Sequence, residues 1–287
     1  GGYFAEAQGF DKDISLAITE QYLPIGLNSK APKKPFSVAL SITDKIDTLV
    51  GFFGINEKPT SSKDPYALRR SAIGLIRLLI ENNKEFKIRD LINYSSSLYE
   101  DQGFNLINDS TQKELTEFLL DRLKFYMKTK DIRTDIIDSG FESYKTDEIN
   151  KIYKKSFSLN KIINKTIGND IISSYRRASN ILENELKNFD LELSNTTDPG
   201  IFKNEYEKNL YKKIIELKKY FLSIDKDEKY DVTLNNLAQT KTVIYEFFDK
   251  VIVNDEDKVI KKNRLELLQM LCKTFDNYIN FSKIESI

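Results

Sequence analysis

The stretch Ile42–Glu81, ITDKIDTLVGFFGINEKPTSSKDPYALRRSAIGLIRLLIE, decides the fold class. With Ala39 just ahead of it, Ile42, Ile46, Leu49, Val50 and Phe53 recur at three- and four-residue spacing. That is the period of one helical face. Leu68, Ala72, Leu75, Ile76 and Leu79 repeat the pattern. Between the two runs lies a polar turn. Asp64-Pro65 predicts the second helix's start, because Asp64 can accept from its free amides and Pro65 suits a first helical position.

The same spacing recurs outward from this pair. Leu237, Ile244, Phe248 and Val251 form one stripe, and Leu265, Leu268, Cys272, Phe275 and Ile279 another. Strand-like alternation is hard to find, and Gly (11) and Pro (6) are scarce, so the expected fold is all-α. Thr197-Asp198-Pro199-Gly200 and residues 223–229 read as loops between helices.

With 287 residues, 40% hydrophobic and 31% charged, the chain reads as a soluble globular protein long enough for two domains. Its 44 basic and 44 acidic residues balance, so an interaction with nucleic acid must rest on local patches. No apolar run is long enough to cross a bilayer, which predicts no membrane partner. The single cysteine, Cys272, excludes an internal disulfide, fits a reducing compartment and falls on an apolar stripe, where it reads as inert core. The chain opens Gly1-Gly2-Tyr3-Phe4 and is read as a piece of a longer polypeptide. Charge suggests three parts: residues 1–100, an acidic helical connector over 101–150, and a more basic part over 151–287.

Histidine is absent. That removes the usual zinc sites and every Ser-His-Asp or Cys-His arrangement. Neither GxxxxGK[ST] nor GxGxxG occurs. Carboxylates, lysines and arginines remain. Asp44 and Asp47, three apart on a helix, read either as ligands or a general base, or as partners of the basic helix after Asp64. Arg70, Gly74 and Arg77 share a face, with Arg69 and Lys63 nearby. They read as a phosphate-contacting ridge or as internal pairs with Asp44, Asp47 or Asp64. Between Lys151 and Arg177 seven basic residues meet one acid, Asp170, with Tyr153, Phe157 and Tyr175 interleaved. This pattern suits RNA, and it equally suits core aromatics beside solvated lysines. Lys258, Lys262 and Lys273 mark a polar face. Asn263-Arg264 offers base-reading chemistry, or Arg264 closes a salt bridge to Asp255 or Asp257.

Several strings together resemble one family. Glu20-Gln21-Tyr22-Leu23-Pro24 resembles "E-x-Y-x-P", Thr43–Gly54 is similar to "ADKxDTLxGxF", and Pro59–Arg70 to "PTGSKDPFALRR". Arg177–Leu182 resembles "RxSNIL". Phe247–Val251, Asp257 and Asn263–Leu265 resemble "FFDxVxV…D…NRLxLL". These belong to the β subunit of the bacterial two-subunit glycyl-tRNA synthetase. The block 42–49 also looks like a helix of HD-type phosphohydrolases, whose metal site needs histidines that are absent here. Ser61 and Tyr66 depart from the pattern, where the family has Gly and Phe.

The resemblance implies an HD-like helical domain over 1–100, a helical connector over 101–150 and a DALR-type anticodon-binding bundle over 151–287. It implies tRNA binding and positioning, with the chemistry in a separate α subunit that uses ATP and Mg2+. The chain itself would carry no cofactor, metal or catalytic residue. Expected partners are glycine-specific tRNA and the α subunit in an α2β2 assembly, in the cytoplasm, without DNA. Arg176, Arg177, Asn180, Lys258, Lys262, Asn263 and Arg264 would face the anticodon side. Lys63, Arg69, Arg70 and Arg77 would face the acceptor side. The competing reading is a structural helical module that joins subunits without touching RNA.

Overall fold

The computed structural model describes residues 1–143, 147–188, 193–194, 196–223 and 229–285. Among these, thirteen α-helices carry the fold: α1 Gly2–Ala7, α2 Lys12–Glu20, α3 Pro35–Gly54, α4 Leu68–Glu81, α5 Ile88–Glu100, α6 Asp109–Lys128, α7 Thr134–Ser143, α8 Ile149–Ile162, α9 Thr166–Asn188, α10 Glu205–Ser223, α11 Tyr230–Ala238, α12 Lys241–Lys250 and α13 Lys258–Asp276. The one β-type pairing among the described residues is an isolated bridge between Lys87 and Glu148. The all-α expectation holds.

The chain forms two compact units. The first comprises Gly1–Asp131 and Thr146–Tyr153, the second Ile132–Lys145 and Lys154–Ile287. This differs from the three-part division by charge. In the first unit α3 packs against α2, α4, α5 and α6, and α4 also packs against α6. The acidic residues Asp109, Glu114, Glu117 and Asp121 therefore sit on a helix that belongs to this core. Leu115, Leu119, Leu123 and Met127, four apart, are fully buried along α6. The connector reading weighed charge and missed this stripe.

The α3 face from Ile42 to Phe53 is buried as expected, but Ala39 is exposed. The α4 helix is buried nearly all round, from Ala72 to Leu79. Its start is also displaced. Asp64-Pro65-Tyr66-Ala67 forms a turn, closed by the Ala67 amide donating to the Asp64 carbonyl at 3.2 Å. The helix then begins at Leu68. Both Asp64 carboxylate oxygens still serve it, accepting from the Leu68 amide at 2.8 Å and the Arg69 amide at 3.0 Å.

In the second unit α9 packs against α11, α12 and α13, and α10 against α12 and α13. Reciprocal capping opens α10. The Glu207 amide donates to Asn204 Oδ1 at 3.1 Å, and the Asn204 amide donates to Glu207 Oε2 at 3.1 Å. Asp257 opens α13, accepting from the Val259 amide at 2.8 Å. The stripe read across Leu237–Val251 spans two helices, broken at Gln239-Thr240, and Phe247 rather than Phe248 is its fully buried ring. The Leu265–Ile279 stripe is buried as expected, Cys272 included. Burial pushes the Cys272 thiol up to about 12, so it is inert core. Of the expected loop 223–229, residues 224–228 lie outside the described residues. Among the described residues no helix is long and apolar enough to cross a membrane.

Candidate nucleic-acid interface

In the first unit, most of the quoted motif residues hold one another. Gln21 donates to Asp44 Oδ1 at 3.0 Å, and Ser41 donates to the Glu20 carbonyl at 3.2 Å. Lys45 is buried and donates to the Tyr22 carbonyl at 3.2 Å. Burial pulls the Lys45 pKa down, against the neighbouring charge of Asp44. Arg77 Nη1 donates to the Gly26 carbonyl at 2.7 Å, and its Nε donates to Glu81 at 2.7 Å. Gly74 lets these groups meet: a Cβ there would stand 2.9 Å from the Pro24 carbonyl oxygen and 2.5 Å from Lys45 Cε. The segment 20–26 is thus fastened onto α3 and α4.

These contacts correct the reading of Arg77. Its guanidinium is an internal strut, not part of a phosphate ridge, and its acid partner is Glu81 rather than Asp44, Asp47 or Asp64. Arg69 bonds the Thr60 carbonyl and braces the loop ahead of α4. Asp47 is exposed and lies beside Tyr99, whose pKa is raised first by burial and then by the Asp47 charge. Among the described residues no group of three or more His, Cys, Asp or Glu could hold a metal ion. The exposed side chains of Lys63 and Arg70 remain open, with no ion pair among the described residues.

The second unit divides its candidates in the same way. Arg264 is 5% exposed. Its Nε donates to Glu207 at 2.7 Å, and its Nη1 donates to Asp255 at 2.7 Å and to the Ile252 carbonyl at 2.8 Å. Asn263 is buried too. Its Oδ1 accepts from Thr197 Oγ1 at 2.8 Å and from the Asp198 amide at 2.7 Å, while its Nδ2 donates to the Asp198 carbonyl at 3.0 Å. It pins the turn that Pro199–Ile201 completes. Neither side chain presents a base-reading edge, so both are corrected to internal roles. Arg176 donates to the Ile284 carbonyl at 2.6 Å.

The open groups are different ones. Lys258 is exposed and Lys262 half-buried, four apart on α13, and neither has an ion pair among the described residues. With Thr196, Val259, Asn263 and Glu266 they line a cleft of about 440 Å3. Val259 is well exposed, and Glu266 accepts from the Ser194 amide at 2.9 Å. Asn180 is exposed. The Arg177 guanidinium carbon lies 4.8 Å from the ring centre of Phe248 and 5.1 Å from that of Tyr245.

The aromatic residues singled out between Lys151 and Arg177 are mostly packed. Tyr175 is buried and donates to Asp276 at 3.2 Å. Tyr153 packs on Tyr126 at 5.8 Å, and Lys161 covers Phe157 at 4.3 Å. Tyr245 and Phe248, which do frame an open cation, were not among the candidates. Their place one turn apart on a short amphipathic helix was the available signal.

Residues 1–142 match the family model described as the glycyl-tRNA synthetase beta subunit, and residues 171–287 the model of the DALR anticodon binding domain. Curated relatives align over 99% of the chain. The glycine–tRNA ligase beta subunit of Rickettsia africae (strain ESF-5) is 34% identical over 284 residues. That of Rickettsia peacockii (strain Rustic) is 35% identical over 292, and that of Ruegeria sp. (strain TM1040) 30% over 285. The chain spans about 40% of the length of each of these relatives.

Proposed function

Because the chain belongs to the glycyl-tRNA synthetase β-subunit family and ends in a DALR anticodon-binding domain, we propose that it binds and positions glycine-specific tRNA for aminoacylation. The bond-making then falls to a partner α subunit, in an α2β2 assembly in the cytoplasm, which uses ATP and Mg2+. The part of the present chain in this reading is to hold RNA.

The observation that carries this reading is the contrast within the second unit. Arg176, Asn263 and Arg264 are tied inward, while Arg177, Lys258 and Lys262 have no ion pair among the described residues. Cations left without acids on a neutral protein are available to RNA. Lys258 and Lys262 supply mobile point charges, and the cleft beside them has room for an unpaired base. In the first unit Lys63 and Arg70 offer the corresponding open charges toward the acceptor side, with Arg69 shaping the loop that carries Lys63.

Titrating the 287-residue chain with glycine tRNA and with an unrelated tRNA, at two salt concentrations, tests the proposal. Binding should weaken steeply with salt. Replacing both Lys258 and Lys262 with alanine should flatten the log–log slope by about 1.4–1.8, at roughly 0.7–0.9 per phosphate contact. A folded chain that binds neither tRNA at low salt would leave the purely structural, subunit-joining role as the better account.

A further inference from the structure

We infer that Arg177 and Tyr245 form a stacking seat for one unpaired nucleobase of the bound RNA, with Asn180 placed to meet that base's edge. The inference rests on the tRNA-binding reading above and assigns a ligand chemistry to one place within it.

The seat lies along the seam of α9 and α12. Lys241 Nζ donates to Asp170 at 2.6 Å and lies 5.6 Å from the Tyr245 ring centre. Arg177 then covers Tyr245 and Phe248. Asp170 and Arg177 are seven residues apart on α9, as are Lys241 and Phe248 on α12. Both pairs are therefore two turns apart, and the helices run side by side in the same sense. Cation and ring alternate along the seam.

What distinguishes Arg177 is the state of its donors. Arg77 and Arg264 direct theirs into carboxylates and carbonyls. Arg177 makes no hydrogen bond or ion pair among the described residues, although it is half-buried. Two rings hold its plane. The five N–H groups of that plane are left for a ligand.

Tyr245 is 37% exposed, and its hydroxyl also has no hydrogen-bond partner among the described residues. Asn180 stands three residues beyond Arg177, hence on the neighbouring position of the same helix face, and is exposed. Its amide offers a donor and an acceptor together. A pre-set planar cation, a partly open ring and a free amide suit an unstacked base better than a phosphate, which any mobile lysine would satisfy.

The test uses the full chain and glycine tRNA carrying 2-aminopurine at one anticodon-loop position at a time. One position should lose fluorescence on binding as it stacks. Arg177→Lys, which keeps the charge and removes the plane, should abolish that quench and weaken binding roughly 5- to 150-fold, the equivalent of about 1–3 kcal/mol per stacked base. Its salt slope should equal that of the unmodified chain. Tyr245→Ser should act alike, and it carries the test if Arg177→Lys unfolds. Asn180→Ala should keep the quench and weaken binding.

Full affinity in Arg177→Lys, with a slope lowered by roughly 0.7–0.9 in Arg177→Ala, would make Arg177 a phosphate contact and overturn the seat. Unchanged quench and affinity in both variants, with lower unfolding midpoints, would make the stack internal glue and overturn it equally. If the unmodified chain binds no tRNA, the wider reading fails and takes the seat with it.

Discussion

Truncating Arg264 to alanine separates an internal role from an RNA-reading one. Its guanidinium donates three hydrogen bonds of 2.7–2.8 Å to Glu207, Asp255 and the Ile252 carbonyl. The Glu207 side chain is 1% exposed and stays behind as a buried carboxylate. Removing one partner of such a pair costs about 3–5 kcal/mol, chiefly through the charge left uncompensated. Glu207 Oε2 still accepts from the Lys203 amide at 2.7 Å and from the Asn204 amide at 3.1 Å. That residual support places the expected loss near the lower end, about 3–4 kcal/mol. With a urea slope of about 3 kcal/mol per molar, the unfolding midpoint of the full chain falls by about 1 M. Adding Glu207→Gln should recover part of the loss, since a glutamine oxygen still accepts from those amides without a buried charge. Circular dichroism during urea titration measures both variants. If Arg264→Ala unfolds at the original midpoint yet loses tRNA affinity, the internal assignment is wrong and the base-reading one right.

Two further perturbations test the rest of the framework. Gly74→Ala should cost about 1–3 kcal/mol, read as a lower melting temperature, because the new methyl meets the Pro24 carbonyl oxygen and a Lys45 stem that is itself tied down. An unchanged melting temperature would show that segment 20–26 is not seated on α4 as described. Asp276→Asn tests a titration: burial raises the Asp276 carboxyl to about 6, against opposing hydrogen bonds from the Phe281 amide and Tyr175. A raised folded pKa favours folding fully below the unfolded value near 3.8, and that contribution is lost as pH climbs through about 6. The asparagine variant does not titrate there. Its stability relative to the original chain should therefore grow between pH 4 and pH 7, as urea midpoints at the two pH values would report, and a relative loss over that range would refute the assignment.

The helical faces were readable because burial of apolar side chains imposes its period directly on the sequence. The Leu265–Ile279 stripe did so faithfully, and by opposition it located Lys258 and Lys262 on the open side. What period cannot say is whether the polar side of a helix is also covered. In α4 it is, because segment 20–26 lies across Gly74 and Arg77, and a long side chain can bury its stem while its head finds a carbonyl. Partners distant in sequence were equally hidden. The pairing of Arg264 with Asp255, nine residues away, was among the options read from sequence, but that with Glu207, 57 residues away, was not.

Motif strings carry the same ambiguity within themselves. Arg69 and Arg70 are consecutive, so their side chains leave the helix about 100° apart. One braces the Thr60 carbonyl and the other stands in solvent. Asn263 and Lys262 divide in the same way: the amide of one is taken up in pinning a turn, while the ammonium of the other has no ion pair among the described residues. A matching string identifies the family because both kinds of residue belong to it. Which of two neighbours can meet RNA is then settled by the helix's rotation against its neighbours, a property that no single string contains.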